Sequence, residues 1–225
     1  MKIVENLYAY VWPGQDNNCN SYVFAGAFEG GRHVVVDPGH LVTPSLGEPG
    51  LERLYTEMRA NGIDPDGIGM VILTHCHPDH CESAATIRQR SRALVVLHEA
   101  ESAFYTGHMG GKVDLFAEEG DLLLGQDARL RLEVFHSPGH SPGHLTLYWP
   151  ERKVLIAGDL IFYRGTGRTD LPGGSARQLA DSIERLSKLD IEILLCGHPY
   201  GHPGIIQGKD AVAENFAAIR HGMLF

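Results

Sequence analysis

Five short apolar runs in this chain each deliver an aspartate or histidine within a few residues of their end, and no other feature limits its folding options as much. Val34-Val35-Val36 leads to Asp37-Pro38-Gly39, and Met70-Val71-Ile72-Leu73 leads to Thr74-His75. Leu130 to Phe135 runs into His136-Ser137-Pro138-Gly139-His140, Lys153 to Ala157 into Gly158-Asp159, and Ile191 to Cys196 into Gly197-His198. Runs of this length and composition read as strands. In open α/β sheets, ligands gather beyond the carboxyl ends of strands, so such ends along one edge can bring their polar residues to one site.

The densest of these ends is Thr74-His75-Cys76-His77-Pro78-Asp79-His80, which sets His75, His77, Asp79 and His80 directly after a strand. Imidazole nitrogen and carboxylate oxygen suit borderline divalent ions such as zinc and ferrous iron. A single histidine here would read as part of a polar loop over a helix start. Four ligand types together, with the later strand ends, point instead to a metal centre. Asp37 is the candidate for a residue that orients a ligand from behind.

In the order His-x-His-x-Asp-His, then His, then Asp, then His, the chain resembles the metallo-β-lactamase fold superfamily over nearly its whole length. The resemblance implies an αβ/βα sandwich of four layers with the metal site at one edge of the sheets. It assigns His75, His77 and His140 to one metal ion, Asp79, His80 and His198 to a second, and Asp159 to a bridge between them. His144 repeats the Pro-Gly-His tripeptide of residues 138 to 140 and is the weaker candidate. Two divalent ions are implied, zinc foremost, with iron or manganese as alternatives.

The segment from Asp159 to Gly174 narrows the resemblance to the glyoxalase II and persulfide dioxygenase branch, both of which carry Gly-Arg-x-Asp shortly after the bridging aspartate. Here that is Gly167-Arg168-Thr169-Asp170. Arg164 is the candidate for an anionic substrate group, with Tyr163 and Arg168 as further substrate contacts; an Arg168 to Asp170 ion pair pinning a glycine-rich loop explains the latter equally well. The resemblance implies hydrolysis of a small thioester of the hydroxyacyl-thiol kind by hydroxide held between the metals, with Asp79 and Asp159 as catalytic carboxylates. A mononuclear Fe(II) persulfide dioxygenase held by His75, His140 and Asp159, a lactone or other ester hydrolase, and a metal-binding scaffold or sensor without turnover stay open. The complete set of seven ligand positions favours hydrolysis. No Gly-x-Ser-x-Gly elbow offers a serine nucleophile.

With 225 residues, 43% of them apolar and 21% charged, the chain can bury a substantial core without disulfide staples. Cys19, Cys76, Cys81 and Cys196 form no paired framework, so a reducing cytoplasm is the expected setting. A net charge of −9 argues against nucleic acid as the main partner. No run has the length needed to cross a membrane, and residues 1 to 6 lack the apolar core of a secretion signal. The expected partner is a small-molecule substrate, with a homo-oligomer left open.

A single domain over residues 1–225 is expected, since nothing marks a linker, and only a short stretch follows His198, too little for a C-terminal substrate domain. Strands are expected at Lys2 to Trp12, Asn20 to Ala25, Arg32 to Asp37, Gly69 to Leu73, Ala93 to Leu97, Asp121 to Leu124, Leu130 to Phe135, Leu145 to Trp149, Val154 to Ala157 and Ile191 to Cys196. Helices are expected at Leu51 to Asn61, Glu82 to Arg90, Ser175 to Leu189 with Ser175 as N-cap, and Gly208 to Arg220. Residues 99 to 118 carry no clear period, and His108 to Gly111 reads as a loop or a surface turn.

Overall fold

A computed structural model describes residues 1–124 and 130–223. The elements run β1 Lys2–Val4, β2 Leu7–Tyr10, β3 Ser21–Phe28, β4 Arg32–Val36, α1 Gly50–Ala60, β5 Ile68–Ile72, α2 Pro78–Cys81, α3 Ala84–Ser91, β6 Leu94–Leu97 and α4 Glu99–His108. They continue with β7 Leu115–Phe116, β8 Gly120–Leu124, β9 Leu130–His136, β10 Leu145–Trp149, β11 Val154–Gly158, β12 Ile161–Phe162, β13 Gly165–Thr166, α5 Ala176–Leu186, β14 Ile193–Cys196, β15 Ile205–Gln207 and α6 Lys209–Met223. One sheet has the order β1-β2-β3-β4-β5-β6-β7 and the other β15-β14-β11-β10-β9-β8, while β12 and β13 pair as a small ribbon.

The two-residue period of the strands sorts their side chains into layers. Val34, Val36, Met70 and Ile72 face the second sheet, where Val134, Leu147, Ile156 and Leu195 meet them. Their alternates Val35 and Val71 turn outward onto Leu51, Leu54, Met58 and Ile87 of α1 and α3. On the far side Leu155, Ala157 and Leu194 pack under Leu179, Ile183 and Leu186 of α5 and Val212, Phe216 and Ile219 of α6. Helices therefore cover both outer faces, giving the four αβ/βα layers that the sequence implied. This burial on both faces is why β4, β5, β11 and β14 carry nearly unbroken apolar runs, whereas β9, Leu-Arg-Leu-Glu-Val-Phe-His, alternates.

Parallel pairing then sets the site. β4 lies parallel to β5, with Val36 opposite Ile72, so Asp37 and Thr74 emerge side by side. β11 lies parallel to β14, with Gly158 opposite Cys196, so Asp159 and His198 do the same. Hydrogen bonds stitch the two sheet ends together: Leu145 N donates to Thr74 O at 2.7 Å and Asn20 N to Gly197 O at 2.6 Å.

The expected elements differ from the observed ones in several places. Lys2 to Trp12 is a hairpin rather than one strand, because Asn6 turns the chain at φ 63°. Asp79 and His80 sit in their own short turn, α2, begun by Pro78, ahead of α3. Residues 99–108 form a helix capped by His98, whose ring accepts from Ala100 N. Only Glu101 and Tyr105 of that helix are buried, which explains its weak periodicity. α5 ends at Leu186, short of Leu189, and its Ser175 cap accepts from Gln178 N as expected.

Candidate metal centre

Three triads of ligand atoms converge at the edge where these strands end. They are His75, His77 and His140; His75, His80 and Asp159; and Asp79, His80 and His198, with the atoms of each triad within 4.8 Å of one another. All seven residues proposed from sequence are thus brought together. Asp159 lies between the groups: its Oδ1 is 3.1 Å from His80 Nε2, and its Oδ2 is 3.3 Å from His198 Nε2 and 3.6 Å from His140 Nε2.

The surrounding hydrogen bonds fix which ring nitrogen of His75, His80 and His140 faces the centre. His140 Nδ1 lies 2.8 Å from Arg168 O; a carbonyl only accepts, so Nδ1 carries the proton and Nε2 keeps its lone pair. His80 Nδ1 lies 2.9 Å from the Asp37 carboxylate, which leaves Nε2 bare by the same argument. Thr74 Oγ1 gives its one hydrogen to Asp37 Oδ2 at 2.7 Å, and so can only accept from His75 Nδ1 at 3.0 Å. His75 Nε2 then points inward as a buried atom with no partner. Asp37, held also by Thr74 N at 2.8 Å, therefore orients two histidines at once. Sequence reading had assigned it to one ligand.

His75 Nε2 and Asp159 Oδ1 are buried polar atoms with no well-aligned hydrogen bond. Leaving such atoms unpaired is costly, and a bound cation is what their lone pairs would satisfy. The residues present thus fit divalent metal ions, with His75, His77 and His140 able to hold one, Asp79, His80 and His198 another, and Asp159 reaching both.

Charges in the centre are strongly coupled. Burial drives the His75 imidazole well below its usual range, and the neighbouring His80 and His140 add to this. Burial and His140 likewise push His77 down to about 4. For Asp159, burial works to raise the pKa, but His198 and His80 outweigh it and hold the carboxyl well below its usual range. For His198, burial would lower the pKa, yet Asp159 and Asp79 raise it to about 9.

Two glycines make room for this packing. Gly158 adopts φ 51° against His144 and Thr74, which only glycine accepts readily. A Cβ on Gly197 would stand 2.0 Å from Asp159 Oδ1. His144, the alternative to His140, is buried behind the centre. Its Nε2 lies 3.2 Å from Asp159 N and accepts from it, and its Nδ1 lies 3.2 Å from Ser137 Oγ, so neither nitrogen is available to a metal.

A cavity of about 620 Å³ opens over the centre, lined by His77, Asp79, His140 and Asp159 together with Asn17, Phe162, Thr166, Arg168, Leu171 and Tyr200. Arg168 is on its wall, but its guanidinium is engaged by Asp170 at 2.6 and 2.7 Å, the ion pair foreseen as the alternative. Tyr163 and Arg164 are not among the lining residues. Arg164 N is bound by Asn215 of α6, its guanidinium lies over the Tyr163 ring, and Tyr163 stacks on His202. Both line a separate cavity against α6, so the fold does not bring these two candidate substrate contacts to the wall of the metal cavity.

Asn17 and Tyr200 were missed. Asn17 Nδ2 donates to Asp79 Oδ2 at 2.6 Å, Tyr200 OH donates to Asn17 Oδ1 at 2.9 Å, and the Tyr200 ring stacks on His198 with centroids 4.6 Å apart. Tyr200 stands two residues after a ligand, a signal that was available; Asn17 lies in an irregular loop with none. His108 to Gly111 does not line the cavity; Gly111 packs against the Tyr105 ring.

A family model for the metallo-beta-lactamase superfamily matches residues 14–198. A probable metallo-hydrolase, YqgX of Bacillus subtilis, is 32% identical over 167 residues, 67% of this chain and 77% of that protein. A hydroxyacylglutathione hydrolase of Bartonella tribocorum is 39% identical over 132 residues, 58% of this chain but 48% of the enzyme, so the chain spans about half of that relative. Among solved structures, TTHA1623 in a di-iron-bound form matches with a TM-score of 0.70 at 29% identity, over 92% of this chain and 98% of that one.

Proposed function

This chain belongs to the metallo-β-lactamase superfamily, and from that premise we propose that it is a dinuclear metallohydrolase that cleaves a small thioester, a hydroxyacyl-thiol being the leading class. The observation that carries the reading is the pair of triads with no member in common, His75, His77, His140 and Asp79, His80, His198, with Asp159 within 3.6 Å of both. A single ion would engage one triad and leave the ligand atoms of the other, gathered within 4.8 Å, with no cation, whereas two ions engage both. Relatives named for metal-dependent and thioester hydrolysis support the same class.

When bound, divalent ions, zinc foremost, would supply Lewis acidity and a water acidified towards neutral pH. The chain's own residues do the rest. Asp37, Thr74 and the Arg168 carbonyl lock the tautomers of His75, His80 and His140, so no reorientation is needed during reaction. Asp159 spans the two halves, while Asp79 faces the cavity with Oδ2 fixed by Asn17. The cavity size suits one small molecule. Water adds to the thioester carbonyl carbon, the carbon–sulfur bond breaks, and a carboxylic acid and a thiol leave; a thiolate needs little protonation to depart.

The test is thiol release from a hydroxyacyl thioester of glutathione by zinc-loaded protein. Turnover that disappears in Asp159→Ala supports the proposal. Absence of thiol release together with O2 consumption on glutathione persulfide would replace it with the mononuclear iron reading.

A further inference from the structure

Beside the metal cavity lies a second one of about 260 Å³, lined by Ala100 and Phe104 of α4, by Pro142, and by Leu171 and Pro172. The two cavities share His77 and Leu171 as common walls, so a molecule at the metal centre has the side cavity within reach past them. Phe104 is 38% exposed, and Pro142 and Pro172 are exposed too, an apolar cluster held open at the surface next to a polar centre.

The charge of this cavity restricts what can enter. Among the described residues, no Lys or Arg lines it. Glu101 is buried in its wall, with Oε1 accepting from Gly143 N at 2.7 Å and Oε2 from Cys76 N at 3.2 Å. A carboxylate or phosphate on the occupant would meet this buried negative charge with no cation to offset it. Ser141 Oγ, buried and without a hydrogen-bond partner, leaves one place for a hydroxyl or carbonyl. At this volume the cavity takes a fragment of a substrate rather than a whole second ligand.

We infer that this side cavity is the acyl-binding subsite: it receives a short, uncharged aliphatic acyl chain, while the thiol portion of the substrate lies in the larger cavity. The inference rests on the thioester hydrolase reading and names the half of the substrate that determines specificity. Each methylene seated in the cavity leaves water, which is worth about fourfold in kcat/KM.

The experiment compares acetyl, butyryl and hexanoyl thioesters of N-acetylcysteamine as substrates of the metal-loaded protein. In parallel, calorimetry measures binding of the matching S-ethyl, S-butyl and S-hexyl thioethers, which are not hydrolysed. Both kcat/KM and affinity should climb with chain length, by about 15-fold from two carbons to four. Ala100→Phe, which fills the cavity, should flatten both trends, and Phe104→Ala should weaken them. Thioethers that bind with the expected length dependence while no thioester turns over would leave the subsite standing and remove the hydrolase reading. Length-independent binding and turnover, or a trend that survives in both variants, would overturn the inference even if hydrolysis is rapid.

Discussion

Gly197 offers a sharp perturbation of the centre because its missing side chain is what admits the Asp159 carboxylate. An added Cβ would lie 2.0 Å from Asp159 Oδ1 and 2.8 and 2.9 Å from the backbone carbon and oxygen of Gly158. Gly158 is tied to the same spot, since its O accepts from Gly197 N at 2.7 Å and the space where its own Cβ would stand is taken by Thr74 and His144. Reaching even a 3.0 Å contact therefore requires Asp159 Oδ1 to move by roughly 1 Å, comparable to the misplacement that costs on the order of 100-fold in rate. The 3.1 Å separation from His80 Nε2 would then open towards about 4 Å, spoiling the convergence of the two ligand atoms on one metal position. Overpacking of this kind costs about 1–3 kcal/mol, which a folded domain survives. The expected result for Gly197→Ala is a folded protein with lowered metal content and kcat/KM down about 100-fold, measured by elemental analysis, circular dichroism melting and steady-state kinetics. Gly107→Ala is the control, since a Cβ there meets nothing within 4 Å. A Gly197→Ala protein with undiminished metal and full turnover would refute the reasoning.

Asp37→Asn keeps the size of the residue but leaves one acceptor oxygen where Asp37 serves Thr74 N, Thr74 Oγ1 and His80 Nδ1; calorimetric zinc affinity should fall about 10–100-fold, and unchanged affinity would count against its orienting role. Ile156→Ala removes a fully enclosed side chain from between the sheets and should cost about 2–5 kcal/mol in denaturant unfolding; a loss under about 1 kcal/mol would contradict the shared core. Asp114 accepts two bonds from Arg88 and one from Val95 N, and the Arg88 bond chiefly holds its carboxyl below the ordinary range. With the folded pKa depressed, its stabilisation is present above the unfolded value of about 4 and fades as pH falls through the folded one. Asp114→Ala should therefore lower stability by about 1–3 kcal/mol at neutral pH and by less near pH 3, and an equal deficit at both would refute the assignment.

Where strands are buried on both faces, the sequence displays them openly: the runs ending at Asp37, His75, Asp159 and His198 are the strands that carry the centre. Parallel pairing of β4 with β5 and β11 with β14 makes those ends neighbours, so motif order and sheet edge coincide. In the sequence the choice of His140 over His144 rests on the family resemblance; in the fold it follows from which ring nitrogens are already engaged. Legibility fails where structure is non-local. Helix α4 buries only Glu101 and Tyr105, so its period is faint, and β7, β12, β13 and β15 are too short to show one. Arg164 is a candidate for an anionic substrate group in the sequence because it is a cation in the segment that carries the resemblance. A turn at φ 55° and the Asn215 hydrogen bond send it towards α6 instead, and neither is visible in one dimension. Asn17 reaches Asp79 across 62 positions of sequence, beyond what local spacing can reveal.

Metal stoichiometry of the purified protein, set against that of His198→Ala, tests the dinuclear centre most directly. About two equivalents of divalent metal per chain, falling to about one or fewer in the variant, is the predicted result. One equivalent of iron in both proteins would contradict it, because His198 would then have no metal to hold.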